Sequence, residues 1–85
     1  MNPRVVSVIP KDDYSLLLTF SNKEKRIFNT APYLDKGVFS ELKDISYFKM
    51  ARQVNGTVQW PHEQDFCPDS LYEESKPLSN KQTIP

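Results

Sequence analysis

The dipeptide Asn55-Gly56 constrains the fold of this chain more than any other feature of its sequence. It lies between two short segments, KMARQV before it and TVQW after it. Both central positions of a type I′ turn need a positive φ, which Asn and Gly adopt at low cost, so the pattern predicts a β-hairpin. Trp60, the only tryptophan, is expected to pack the second strand of this hairpin against the core.

Three earlier segments predict strands. RVVSVI (residues 4–9) is β-branched and stops at a proline, YSLLLTF (residues 14–20) alternates strictly, and KRIFN (residues 25–29) follows a polar break. A period of two indicates a strand with one buried face, with Leu16, Leu18 and Phe20 on one side and Leu17 on the other. Short turns between the three segments predict an antiparallel meander.

Two segments predict helical structure. Apolar residues near helical spacing, Leu34, Val38, Leu42 and Ile45, predict a short helix at residues 38–43 that covers the sheet, after an irregular turn at 31–36. Farther along, PDSLYEES (residues 68–75) suits one helical turn, because Pro68 is pre-organised for a first helical position and Asp69 complements the helix dipole. That turn is expected to return Leu71 and Tyr72 to the sheet.

These patterns predict an α+β fold. The expected architecture is a small antiparallel sheet of about five strands in β-β-β-α-β-β order, with one short helix and a C-terminal helical turn. A chain of 85 residues has no room for a second core. We expect a single domain at residues 1–75 and a flexible C-terminal tail at 76–85, which is polar and contains two prolines.

The charges are balanced overall but divided along the chain. Residues 1–60 carry nine basic and six acidic side chains, whereas residues 61–85 carry two basic and five acidic ones. A net charge of zero disfavours nucleic-acid binding, which needs a surplus of Lys and Arg. An alternative remains at Lys23, Lys25 and Arg26 beside Phe28, with Lys49 and Arg52 on another strand, because a basic-aromatic sheet face can stack bases.

Cysteine content and hydropathy indicate the compartment. A single cysteine cannot form an internal disulfide, and small secreted domains usually need several. No apolar run is long enough for a transmembrane helix, and the N-terminus has no signal-peptide pattern. We therefore expect a cytoplasmic protein without membrane contact.

The rare reactive residues cluster between positions 62 and 69. His62, Glu63, Asp65, Cys67 and Asp69 are all types that can bind zinc, but a structural zinc site usually includes two or more Cys or His in spaced pairs. Solvated acids around a small buried thiol are the simpler interpretation. A Cys67–His62 nucleophile pair is disfavoured as well, because neighbouring carboxylates oppose thiolate formation. The sequence thus offers no catalytic, metal-binding or cofactor-binding candidates, and no cofactor is expected.

The order of motifs resembles a family of small bacterial domains of unknown function, numbered 2442. The likeness rests on P-x-V-x-x-V-x-P-x-x-D-Y-x-L (loosely, residues 3–16), G-V-F-x-x-L (residues 37–42) and G-T-V-x-W-P…D-x-x-P-D-x-L-Y (residues 56–72). Two turns depart from the family pattern. Asn22-Lys23 replaces an Asp-Gly turn, and His62-Glu63-Gln64 replaces Asn-Gly followed by a small residue.

The resemblance implies a compact α+β domain for which the family establishes no catalytic residues. It also implies that relatives are often encoded beside another small protein, in pairs that look like toxin–antitoxin operons. The expected structural motif comprises Asn55, Gly56, Trp60, Pro61, Pro68, Leu71 and Tyr72. The expected partner surface comprises Glu63, Asp65, Asp69, Glu73 and Glu74.

We therefore expect a non-enzymatic interaction module, the antitoxin-like or regulatory member of a two-gene pair, whose acidic segment contacts a basic protein encoded nearby. The alternatives are a nucleic-acid-binding or transcription-related accessory domain, and a small enzyme or metal-binding protein. Pairing of exposed edge strands between two copies of the chain is a further possibility.

Overall fold

The computed structural model describes residues 2–78. Within this range the strands are β1 (Val5–Pro10), β2 (Ser15–Phe20), β3 (Lys25–Asn29), β4 (Arg52–Val54), β5 (Thr57–Gln59) and β6 (Lys76–Pro77). The helices are α1 (Ile45–Phe48) and α2 (Pro68–Glu74), and two 3₁₀ helices precede them at Ala31–Tyr33 and Gly37–Lys43. The predicted α+β class is confirmed, as is the order of three strands, helix and two strands.

The strands divide between two antiparallel sheets. One sheet has the order β1-β2-β3-β6, and the other contains β4 and β5 alone. The hairpin does not extend the larger sheet, and β6 pairs with the edge of β3. Instead the hairpin tip contacts β1, where the Val5 amide donates to the Gly56 carbonyl at 2.9 Å. A single sheet of five strands, as expected from the sequence, is therefore replaced by a sheet of four strands beside a separate hairpin.

The segment predicted as a flexible tail, 76–85, begins with structure. Lys76 pairs with Ile27 and Pro77 with Arg26, and the Leu78 amide donates to the Lys25 carbonyl at 3.0 Å. The prediction placed the end of the domain before these residues because the segment is polar and contains two prolines; pairing with the edge of β3 orders its first residues. The remainder of the predicted tail, 79–85, lies outside the described residues.

The hairpin turn has the geometry that its sequence predicts. Asn55 has φ of 52° and Gly56 has φ of 82°, so both central positions are left-handed, as a type I′ turn requires. A side chain at Gly56 would also meet Arg4, whose Cδ lies 2.7 Å from the position of a Cβ there. Glycine is therefore needed for its backbone conformation and for the close approach of Arg4.

One face of the larger sheet carries the core. This inner face presents Leu16, Leu18, Phe20 and Phe28, all at most 1% exposed, and the helical segments, the hairpin and the loop before α2 pack against it. Phe66, which the sequence did not single out, lies at the centre of the aromatic contacts: its ring is 4.7 Å from Phe39, 5.1 Å from Phe28, 5.2 Å from Tyr33 and 5.9 Å from Trp60, between ring centroids.

The segment predicted as a covering helix is a 3₁₀ helix, and this changes which residues face the core. The sequence was interpreted with an α-helical stripe that included Val38, yet Val38 is 69% exposed. Within the 3₁₀ helix the residues packed in the core are Phe39 and Leu42, three positions apart, and Ile45 and Phe48 follow in α1. A 3₁₀ helix has three residues per turn, so its geometry places Phe39 and Leu42 on one side and leaves Val38 outside.

No helix in residues 2–78 is both long and apolar enough to cross a membrane.

Candidate functional site

The five acids expected to form a partner surface all lie at exposed positions. Glu63 and Asp65 belong to the loop between β5 and α2, and Asp69, Glu73 and Glu74 lie on α2. The structure does not gather them into one cluster. It separates them into three settings, which differ in their contacts.

The loop that carries Glu63 and Asp65 is closed by backbone hydrogen bonds. The Trp60 amide donates to the Gln64 carbonyl and the Glu63 amide donates to the Trp60 carbonyl, both at 2.9 Å. Trp60 itself is 1% exposed and its Nε1 donates to the Phe48 carbonyl at 2.8 Å. Pro61 lies exposed in the turn, where its missing N–H costs no ladder bond. The buried tryptophan thus fixes the base of an exposed acidic turn.

Glu63 and Asp65 line a shallow groove of about 290 Å³. Its other lining residues are Val38, Glu41, His62 and Gln64. The groove therefore combines three carboxylates, from Glu41, Glu63 and Asp65, with one strongly exposed aliphatic side chain. Sequence reasoning missed Glu41 and the groove position of Val38, because both come from the 3₁₀ helix some twenty residues upstream and no local pattern relates the two segments.

Hydrogen bonds hold the Glu41 carboxylate in place. His62 Nδ1 lies 2.8 Å from Oε2 of Glu41, and Nε2 of Gln64 donates to Oε1 at 2.7 Å. Gln64 is buried and accepts in turn from the Tyr47 hydroxyl at 2.7 Å. The same hydroxyl accepts from the His62 amide at 2.9 Å. His62, for which the sequence offered no role, thus orients one of the three carboxylates.

The acids of α2 contact other parts of the chain. Nδ2 of Asn2 donates to Glu73 at 2.9 Å and to Asp69 at 3.4 Å. Glu74 accepts a hydrogen bond from the Tyr33 hydroxyl, and this bond, with burial and the negative charge of Glu74, raises the pKa of Tyr33. Asp69 and Glu73 therefore form a second acidic site beside the N-terminus, and Glu74 is engaged separately.

Of the basic residues proposed for nucleic-acid stacking, Lys25 and Arg26 lie on opposite sides of the larger sheet. Lys25 pairs with Thr19 and Arg26 with Leu18, so their side chains point to different faces. Phe28, on the inner face, is 1% exposed. Arg26 is also inward and its side chain is 12% exposed. Within residues 2–78 the basic-aromatic face considered from the sequence is not assembled.

Arg26 instead connects α2 to the sheet. Its Nε donates to Oγ of Ser75 at 2.7 Å and its Nη2 to the Ser75 carbonyl at 2.6 Å. Its Nη1 lies 2.5 Å from Glu24, and the guanidinium lies 4.5 Å from the centre of the Tyr72 ring. The Tyr72 hydroxyl closes the network by donating to Glu24 at 2.7 Å. With Leu71 fully buried, these contacts explain how the residues after Pro68 return to the sheet.

Cys67 differs from expectation in its exposure. The sequence suggested a buried thiol, whereas the structure places Cys67 at an exposed position because it precedes the first residue of α2 at the protein surface. The His62 ring contacts Glu41 rather than Cys67. Across residues 2–78, no group of three or more His, Cys, Asp or Glu side chains is arranged to hold a metal ion.

Comparison with known proteins adds one finding. A family model described as "Protein of unknown function (DUF2442)" matches residues 5–77. This range includes the hairpin, the acidic groove, α2 and the first two residues of the segment predicted as a tail. Neither a curated protein nor a solved structure matches the chain significantly.

Proposed function

We propose that this chain, which belongs to the DUF2442 family of proteins of unknown function, is a cytoplasmic, non-enzymatic interaction module that binds a basic protein partner. The partner is a protein encoded nearby, and the chain serves as the antitoxin-like or regulatory member of the pair. This role follows the paired-gene arrangement that the family resemblance implies. The contact surface is the groove lined by Glu41, Glu63 and Asp65.

The observation that carries the proposal is the composition of this groove. Three acidic residues line about 290 Å³, and no Lys or Arg occurs between residues 61 and 75. Val38, which is 69% exposed, provides an aliphatic contact at the same place. A lysine or arginine side chain of a partner would find charge complementarity here together with an apolar surface for its stem.

Preorganisation supports the same surface. The contacts of Glu41 with His62 and Gln64 restrict its rotamers before any partner arrives. Because an immobilised side chain loses less conformational entropy on binding, a fixed carboxylate contributes more net affinity than a freely rotating one. The loop beside it is fixed by Trp60 in the core, so the groove is expected to keep its shape in the complex.

The contacts of Arg26 and Phe28 favour this function over nucleic-acid binding. Arg26 is occupied by Ser75, Glu24 and Tyr72, and Phe28 is buried. Neither is free to contact phosphates or bases. The acidic residues of the groove would repel a nucleic acid, which is a polyanion, whereas they attract a basic protein.

The test is co-expression of the full chain with the product of the adjacent gene, followed by size-exclusion chromatography. Elution of both proteins in one peak is the expected result, with an affinity that falls as salt is raised because exposed charges are screened. Separate elution of the two proteins at low salt would contradict the proposal.

Charge-reversed variants then locate the surface. Glu63→Lys/Asp65→Lys should weaken the complex by roughly tenfold or more, because like charges would face each other. The matched control, Asp12→Lys/Asp35→Lys, changes net charge equally at two exposed carboxylates outside the groove, whose side chains are 83% and 88% exposed. Equal weakening by both double variants would show that net charge, and not the groove, determines binding.

A further inference from the structure

The larger sheet has a second face that the core does not use. Residues directly opposite each other in an antiparallel pair point to the same side. Ile9 pairs with Leu17, Leu17 with Ile27, and Ile27 with Lys76, so these four side chains form one row across all four strands. We call the side that carries this row the outer face.

The row is aliphatic and does not belong to the core. Ile9 is 53% exposed, and Leu17 and Ile27 are half-buried. None of the three is part of the core or packs against it. The helices, the hairpin and the loop before α2 all pack on the inner side. A sheet face with an aliphatic row usually buries it against another layer, and no element within residues 2–78 supplies that layer.

The charged residues that the paired strands place on this face are both lysines, and the nearest carboxylate, Asp13 in the turn before β2, lies at the far end of the face, where it accepts a hydrogen bond from the Ser15 hydroxyl. Lys25 lies opposite Thr19 and Lys76 opposite Ile27, so both lysines share the outer face with the aliphatic row. The other residues of this face in the paired strands are Ser7, Ser15, Thr19 and Asn29. There is no carboxylate among them. No ion pair of Lys25 or Lys76 is formed within residues 2–78.

The size of the face indicates what could cover it. Neighbouring strands lie about 4.8 Å apart, so the three aliphatic residues span about 10 Å. Seven residues of an α-helix rise by about 10 Å and present apolar side chains at i, i+3 or i+4, and i+7. The whole face measures roughly 300 Å² in projection, well below the surface of about 800 Å² per partner that a stable dimer buries. A single helix fits this face, whereas a second copy would be held weakly.

We propose that the outer face of the four-stranded sheet is a docking surface for an amphipathic helix of a protein partner, with an aliphatic stripe that packs on Ile9, Leu17 and Ile27 and with acidic residues that pair with Lys25 and Lys76. This surface is separate from the acidic groove and has the opposite charge. It does not depend on the function proposed for the groove.

The test uses the full chain and two labelled peptides of about 18 residues. Each peptide carries a covalent link between side chains that stabilises its helix in water. Both carry the same leucine stripe, flanked by Glu in one peptide and by Lys in the other. Fluorescence anisotropy should show that the Glu-flanked peptide binds roughly tenfold or more tightly than the Lys-flanked peptide. Because the acidic groove attracts Lys-flanked peptides, the comparison is made in the Glu63→Gln/Asp65→Asn variant. Failure of the Glu-flanked peptide to bind, or equal binding of both peptides, overturns the proposal.

Two variants assign the binding to this face. Leu17→Thr/Ile27→Thr keeps β-forming residues and should weaken binding roughly tenfold or more, whereas Met50→Thr, at an exposed apolar residue after α1, should not change it. Lys25→Glu/Lys76→Glu should reverse the preference between the peptides, and Lys36→Glu/Arg52→Glu, with the same change of net charge elsewhere, should preserve it. Circular dichroism verifies that each variant is folded.

Two other occupants are distinguished in the same experiment. Self-association of the chain that Leu17→Thr/Ile27→Thr abolishes would assign the face to a second copy. Binding to phosphatidylserine vesicles that Lys25→Glu/Lys76→Glu abolishes would assign it to an anionic membrane. Either result overturns the docking of a helix.

Discussion

At the scale of single residues, Lys23 and Glu63 are two of four non-glycine residues in residues 2–78 with left-handed backbone, the others being Tyr14 and Asn55. Lys23 has φ of 73° and Glu63 has φ of 72°. Both lie in turns where the family resemblance implies a glycine that this chain replaces. Left-handed backbone is costly for residues with a Cβ, by about 1 kcal/mol or more. Lys23 and Glu63 therefore keep the left-handed turns and lower the stability of the folded chain.

The first prediction is that glycine at either position stabilises the chain. Lys23→Gly and Glu63→Gly should each raise the free energy of unfolding by about 0.5–1 kcal/mol, because relief of left-handed strain exceeds the added entropy of the unfolded chain. Urea unfolding followed by Trp60 fluorescence measures the change.

Two comparisons isolate the cause of this stabilisation. Glu63→Asn, which tolerates left-handed backbone better than Glu does, should give a smaller gain of the same sign. Lys36→Gly lies at φ of −96°, where glycine relieves no strain and should give no gain. A gain at Lys36 equal to that at Lys23 would contradict the explanation.

At the scale of elements, short-range chemistry predicted the turns and strands well. The alternation around Leu16 and Leu18 and the Asn55-Gly56 turn depend only on neighbouring residues, and the structure reproduces both. What the sequence could not give depends on distant pairing. β6 exists because Lys76 and Pro77 meet the edge of β3, and the groove exists because Glu41 meets the loop that carries Glu63. No local pattern carries such information.

The helix α2 was also predictable from its own residues, whereas its attachment to the sheet was not. Pro68 and the acids after it predicted a helical turn, and α2 begins at Pro68. Its attachment through Arg26 was not predictable, because Arg26 lies almost fifty residues upstream of Ser75 and was interpreted as a surface base. Its position opposite Leu18 in the ladder decides that it points inward.

The second prediction concerns this attachment. Arg26→Lys should lower the free energy of unfolding by about 2–3 kcal/mol, since lysine cannot donate to Oγ and the carbonyl of Ser75 while also pairing with Glu24. Urea unfolding measures the loss, and amide hydrogen exchange should accelerate in residues 71–75. The control is Arg52→Lys, at an exposed position on β4, which should change stability by less than about 0.5 kcal/mol. Equal losses in both variants would show that the network does not hold α2.

At the scale of the whole molecule, a small core separates surfaces of opposite charge. The aromatic contacts around Phe66 fill the inner side of the sheet, while Lys25 and Lys76 share the outer face. The acidic residues Glu41, Glu63 and Asp65 line the acidic groove. The net charge of zero therefore hides the separation between a basic surface and an acidic one. Two partners of opposite charge are compatible with one small domain.

Acid sensitivity provides the last prediction, because it depends on carboxylates that connect separate parts of the fold. Hydrogen bonds from Tyr72, Arg26 and Asn22 lower the pKa of Glu24 in the folded state. A lowered folded pKa gives stability that is complete above the ordinary glutamate value of about 4.3 and is lost as pH falls through the folded value. Glu24→Gln should therefore have a lower Tm than the wild type at neutral pH, and this difference should shrink as pH falls below about 4.

Tyr72→Phe, which removes the largest contribution to the lowered pKa of Glu24, should move the acid-induced loss of Tm to higher pH. A difference in Tm between Glu24→Gln and the wild type that stays constant down to about pH 2 would contradict this account, since it would mean that the ionised carboxylate contributes nothing that the amide does not.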